Sequence, residues 1–154
     1  MRRPALLCLA ALLALVHPAA ARPGEMAGAL AIRYGAPVAA AKPALIPPAT
    51  SAATYRTKDL TITVYFWQGR SALEVYETTA FTSSPGWKPD EEAAVRRDLG
   101  EGKDWTFDAE AKVWRRNDGK LVMRFPGSLN KLAVATTAFD NAALAAKAAK
   151  PVIP

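Results

Sequence analysis

Cys8 and His17 are the only cysteine and histidine of the chain, and both lie among its first 21 residues. If that segment is removed, a thiol nucleophile, an imidazole base and a His/Cys zinc site go with it. Ser71, Ser83, Ser84 and Ser128 can then act as nucleophiles only with a lysine as base. A pair of carboxylates flanking a glycosidic bond is the other chemistry to consider. Glu74 and Glu77 are three apart, which puts them on opposite faces of a strand, so they do not make such a pair. "GEGKD" (100–104) has two glycines two apart and an aspartate after the lysine, so it lacks the phosphate-loop pattern and reads as a helix stop. "DWTFDAE" (104–110) offers three carboxylates without the order or central glycine of a calcium loop, and reads as a polar strand and turn. No catalytic residue, metal or cofactor is therefore expected. A small envelope hydrolase using carboxylates is the alternative to a non-catalytic chain.

Aromatic side chains are the better candidates for function. In "LTITVYFWQGRSALEVYE" (60–77), Leu60, Ile62, Val64 and Phe66 alternate with Thr61, Thr63, Tyr65 and Trp67. A two-residue Gln68-Gly69 turn would pair Trp67 with Arg70, Phe66 with Ser71, Val64 with Leu73 and Ile62 with Val75. The aliphatic residues then share one face. Tyr65, Trp67 and Tyr76 project from the other with Arg70 and Glu74, and Arg70 can lie over Trp67. Tyr65, Trp67, Arg70 and Tyr76 are the expected binding residues.

"KVWRRNDGKLVMRF" (112–125) poses a second case, a hairpin with Trp114 among five cations. A two-residue Asp118-Gly119 turn sets Trp114 against Met123 on the core side. A three-residue Asn117-Asp118-Gly119 loop sets it outside among Lys112, Arg116, Lys120 and Arg124. Burying about 200 Å² of indole contributes roughly 5 kcal/mol, against roughly 2 kcal/mol for burying Val113 instead, so the two-residue turn is expected.

These residues need elements to hold them. Arg2 and Arg3, the apolar run Ala5 to Val16 and Ala19-Ala20-Ala21 form a secretory signal peptide over 1–21, with the mature chain starting at Arg22. The apolar run is too short to span a bilayer, so no membrane span is expected in the mature chain, which would be periplasmic or extracellular. Residues 22–54 are rich in Ala and Pro and read as a disordered linker. Residues 55–150 form one small domain, and 151–154 a tail. "KPDEEAAVRRDLGEG" (88–102) predicts a helix starting at Pro89, with Asp90, Glu91 and Glu92 in its first turn and Val95 and Leu99 inward. Strands follow near Trp105–Asp108, Lys112–Arg116 and Leu121–Phe125, giving β-β-α-β-β-β to this point. A Pro126-Gly127 turn leads to a further strand, Leu132–Thr136, before the closing helix "TAFDNAALAAKAAK" with Thr137 as its cap. The expected fold is α+β: a single antiparallel sheet with one or two helices packed on one face.

The "WRRNDGK" hairpin (114–120), after a signal peptide and a hairpin containing F-x-x-G (66–69), resembles small exported bacterial proteins of unknown function. The likeness covers Leu60 to Thr137 and implies no activity, cofactor or catalytic residue. From 55 to 150 there are 15 Lys and Arg against 13 Asp and Glu, far from a nucleic-acid footprint. The expectation is an exported binding or envelope-assembly module whose partner is an envelope protein or glycan.

Overall fold

The computed structural model describes residues 22–39, 44–78, 86–127 and 130–149. Within them, one antiparallel sheet holds β1 (Ser51–Arg56), β2 (Leu60–Trp67), β3 (Arg70–Thr78), β4 (Trp105–Asp108), β5 (Val113–Arg116), β6 (Leu121–Arg124) and β7 (Lys131–Thr136). This is the expected α+β single-sheet class. The spatial order is β1-β2-β3-β7-β6-β5-β4, so β7 joins two sets of hairpins and β1 and β4 are the edges. Three helices accompany it: α1 (Ala27–Tyr34), α2 (Pro89–Gly100) and α3 (Thr137–Ala148).

Helices cover both faces of the sheet, where one face was expected. Ile62, Val64, Tyr76, Met123, Leu132 and Val134 pack with Leu30 of α1 and Leu99 of α2. Tyr65, Leu73, Val122, Ala133 and Ala135 pack with Phe139 of α3 on the other side. The reason is visible in β7, where Leu132, Ala133, Val134 and Ala135 are all buried in succession. Such an uninterrupted apolar run needs cover on both sides.

The 22–54 stretch, expected as a linker, supplies α1 and most of β1. Leu30 and Tyr34, four apart, face the core from α1, and Leu30 is wholly buried. An eight-residue helix is not stable alone. Burying Leu30 contributes about 2 kcal/mol toward seating it. The Gly24 N–H donates to the Ser71 carbonyl at 2.6 Å and the Ser71 N–H to the Glu25 carbonyl at 2.8 Å, which tie the segment before α1 to β3.

The Gln68-Gly69 turn forms as expected, both residues having positive φ (54° and 76°). Trp67 pairs with Arg70 and Phe66 with Ser71. The register then shifts between Tyr65 and Phe66, so Tyr65 faces Leu73, Val64 faces Glu74 and Ile62 faces Tyr76. Ala72 is the extra residue of a β-bulge, and beyond it every side chain of β3 changes face.

α2 starts at Pro89, and the Glu91 carboxylate accepts from the Lys88 N–H at 2.9 Å. It stops where Glu101 turns left-handed (φ 52°). α3 is capped by Thr136, whose hydroxyl accepts from the Phe139 N–H at 3.3 Å, one residue earlier than expected. Thr137 instead donates from its hydroxyl to the Gly119 carbonyl at 2.6 Å, joining α3 to the β5–β6 turn.

Candidate functional site

Tyr65, Trp67, Arg70 and Tyr76 do not share a surface. The bulge at Ala72 sends Tyr76 to the α1 and α2 face, where it is 4 % exposed. Tyr65, 8 % exposed, and half-buried Trp67 lie under α3, Trp67 meeting Phe139 edge-on at 5.9 Å. Arg70 donates to the Gly24 carbonyl at 2.9 Å. The cation–π pair among the described residues is Arg96 over Trp114, 3.9 Å from the ring centre. What was read as an open aromatic face is packing on two opposite faces.

The same shift buries Glu74 completely, opposite Val64 and Val134 and beneath α1. The Tyr76 hydroxyl donates to Glu74 Oε2 at 2.7 Å, and no donor among the described residues reaches Oε1. Burial is the main cause that raises the Glu74 carboxyl to about 7. The Tyr76 hydroxyl opposes it, the Glu25 charge adds to it, and the Arg33 charge opposes it again. The Ser71 hydroxyl pulls the same way as Arg33 but weakly, since its own bonds run to the backbone of Arg22, Gly24 and Glu25. Arg33 is itself held by Glu25 in an ion pair. Burial, with the nearby Glu74 charge, pushes the Tyr76 phenol well above its usual range. Sequence reading placed Glu74 on the outer face beside Thr63 and so passed over a buried acid.

The exposed aromatics lie elsewhere. Phe107 of β4 pairs with Trp114 of β5, and Trp114 with Met123 of β6, in one row across the sheet. This is the register of the two-residue Asp118-Gly119 turn. Met123 is fully buried, but Trp114 is only half-buried: α2 packs on Trp105, whose indole N–H donates to the Arg96 carbonyl, and reaches Trp114 only through the Arg96 side chain. The Phe107 and Trp114 rings tilt at 51° with centres 5.1 Å apart. Phe107 is 49 % exposed and Phe125, past the end of β6, 37 %. With Ala109 and Met123 they floor an open hollow of about 670 Å³, rimmed by Glu92, Lys112 and Arg124. Glu92 pairs with Arg96, which fixes the guanidinium over Trp114. Trp114 is thus a core anchor on one edge and part of the floor of this open hollow on the other. The spacing Phe107, Trp114, Phe125 carried no periodic signal; the pairing of β4 with β5 was what sequence reading lacked.

Ser128 stands three residues before Lys131, the Ser-x-x-Lys spacing, which was also missed. Such spacing aligns two side chains only on a helix, and Lys131 opens β7. Its ammonium lies 3.5 Å from Glu77, while Ser128 falls outside the described residues. Among the described residues no three His, Cys, Asp or Glu side chains gather to hold a metal ion. Nor is any described helix long and apolar enough to cross a membrane. Compared with models of known families, with curated proteins and with solved structures, the chain matches none.

Proposed function

We propose that this chain is an exported, non-catalytic binding module that takes an envelope glycan on the shelf formed by Phe107, Trp114 and Phe125. The observation that carries this reading is the pair of exposed phenyl rings flanking Trp114 in an open hollow. Exposed aromatic groups of this kind mark binding sites rather than ordinary surface. A sugar ring offers a C–H face that stacks on an aromatic ring and an edge of hydroxyls. The rim supplies acceptors from Glu92 and donors from Lys112 for that edge. Export rests on Arg2, Arg3, the run from Ala5 to Val16 and the Ala19-Ala20-Ala21 site.

The test is retention of the purified mature chain on insoluble envelope glycan, with Trp fluorescence as a second readout. Wild type should be retained, and Phe107→Ala and Phe125→Ala should be released while still folded. Capture of a protein by native crosslinking, with no glycan retention, would replace the glycan by a protein partner.

Glu74 supports a hydrolase as the second reading, since a carboxyl raised to about 7 suits a general acid. Against it, the group is sealed beneath α1, and the aromatic hollow is lined by one carboxylate, Glu92, rather than two. Reducing ends released during the retention assay, and lost in Glu74→Gln, would favour it.

A further inference from the structure

The described residues leave the face of the sheet beneath α3 incompletely filled. Phe139 packs against the sheet at the start of the helix. After it, the positions facing the sheet are Ala143 and Ala146, and those opposite on β7 are Ala133 and Ala135. Small side chains on both walls leave a hollow of about 490 Å³, walled also by Leu73 and Val122 and closed on one side by the Ile46-Pro47 segment. The hollow is half open to solvent, and on that side its apolar walls have no protein atoms to pack against. An open apolar groove of this volume has the size of a small-molecule site. Two of the large apolar side chains left exposed, Ile46 at 39 % and Leu144 at 53 %, stand at its margin.

The rim is cationic. Arg124 crosses to Asp140 of α3 in an ion pair. Lys147, one helical turn beyond Ala143, also lines the hollow, and it makes no ion pair among the described residues. An apolar groove whose lining includes one ammonium with no ion-pair partner among the described residues is complementary to one long hydrocarbon chain carrying one negative charge.

We propose that the slot between α3 and the sheet binds a long-chain carboxylate, with its hydrocarbon along Leu73, Val122, Ala133 and Ala135 and its head at Lys147. This site lies on the face opposite the aromatic shelf and stands or falls independently of it. The hydrocarbon supplies affinity through burial, and the ammonium supplies orientation and choice of head group.

The test is a fluorescence titration of the chain with cis-parinaric acid, a fluorescent C18 polyene carboxylate, below its micelle concentration. Saturable binding at one site per chain is expected, displaced by oleate and about tenfold less well by oleyl alcohol. Lys147→Gln lies on the surface and leaves the fold intact. It should weaken displacement by oleate about tenfold and leave oleyl alcohol unchanged. Ala143→Phe fills the slot and should abolish binding, whereas Phe107→Ala on the other face should not affect it. The proposal is overturned if wild type shows no saturable site, if oleate and oleyl alcohol compete equally, or if Lys147→Gln leaves oleate unaffected. Undiminished binding by a folded Ala143→Phe variant would overturn it too.

Discussion

Replacing Glu74 by glutamine should change how stability depends on pH. The carboxyl has an ordinary value of 4.5 in an unfolded chain and about 7 in the folded one, chiefly through burial. A raised folded value means that its contribution is fully present below pH 4.5, where both states hold the proton. Between pH 4.5 and 7 the unfolded chain gives up its proton and the folded chain keeps it, so stability falls as pH rises. Above pH 7 the loss is complete. A difference of about 2.5 units corresponds to about 3 kcal/mol. The groups that face Glu74 are Tyr76 and Ser71 from β3 itself, Tyr55 from β1, and Glu25 and Arg33 from the segment carrying α1. Glutamine keeps the shape and cannot ionise. It introduces an amide donor at a position where Oε1 has no partner, which sets a constant offset in stability. The offset cancels when the two proteins are compared across pH. Urea unfolding followed by Trp fluorescence, at intervals from pH 4 to pH 8.5, measures the difference. Between pH 4.5 and 8 it should move by about 3 kcal/mol in favour of Glu74→Gln. Parallel curves would refute the reasoning, and would mean that Glu74 is ionised in the folded protein and held by Arg33.

Removal of residues 22–38 should expose Glu74 and lose the burial of Leu30, so the truncated chain should be less stable and its Glu74-linked pH dependence should vanish in the same comparison. Trp114→Ala should cost about 2 kcal/mol in urea, less than for a fully buried indole, because one edge of the ring already faces water. A cost of 4 kcal/mol or more would place the indole deep in the core and close the shelf.

Legibility in the sequence follows how local each cause is. The start of α2 was legible because Pro89 and the acidic first turn act within one turn of the chain, and its end fell one residue from the expected Gly100, with Glu101 taking the left-handed turn. The Gln68-Gly69 turn was legible for the same reason. The bulge at Ala72 was not, since alanine carries no bulge signature, and one unseen residue inverted the faces of Leu73, Glu74, Val75 and Tyr76. Alternation of apolar residues in β3 was a poor guide once both faces proved to be covered. α1 was hidden in an Ala/Pro-rich stretch, where Leu30 and Tyr34 alone mark the buried side. The register of Trp114 followed from burial area, but its exposure depends on where α2 ends over the sheet, which is a tertiary matter. For that reason the candidate surface fell on β4, β5 and the end of β6 instead of the first hairpin.

The central claim is that Phe107 and Phe125 bind ligand and do not hold the fold. Retention of the mature chain on insoluble envelope glycan, measured beside urea midpoints for Phe107→Ala and Phe125→Ala, tests it most directly. The account predicts wild-type retention, at least tenfold weaker retention by each variant, and stability within about 1 kcal/mol of wild type. Retention equal to wild type in both variants, or unfolding of both, would contradict it.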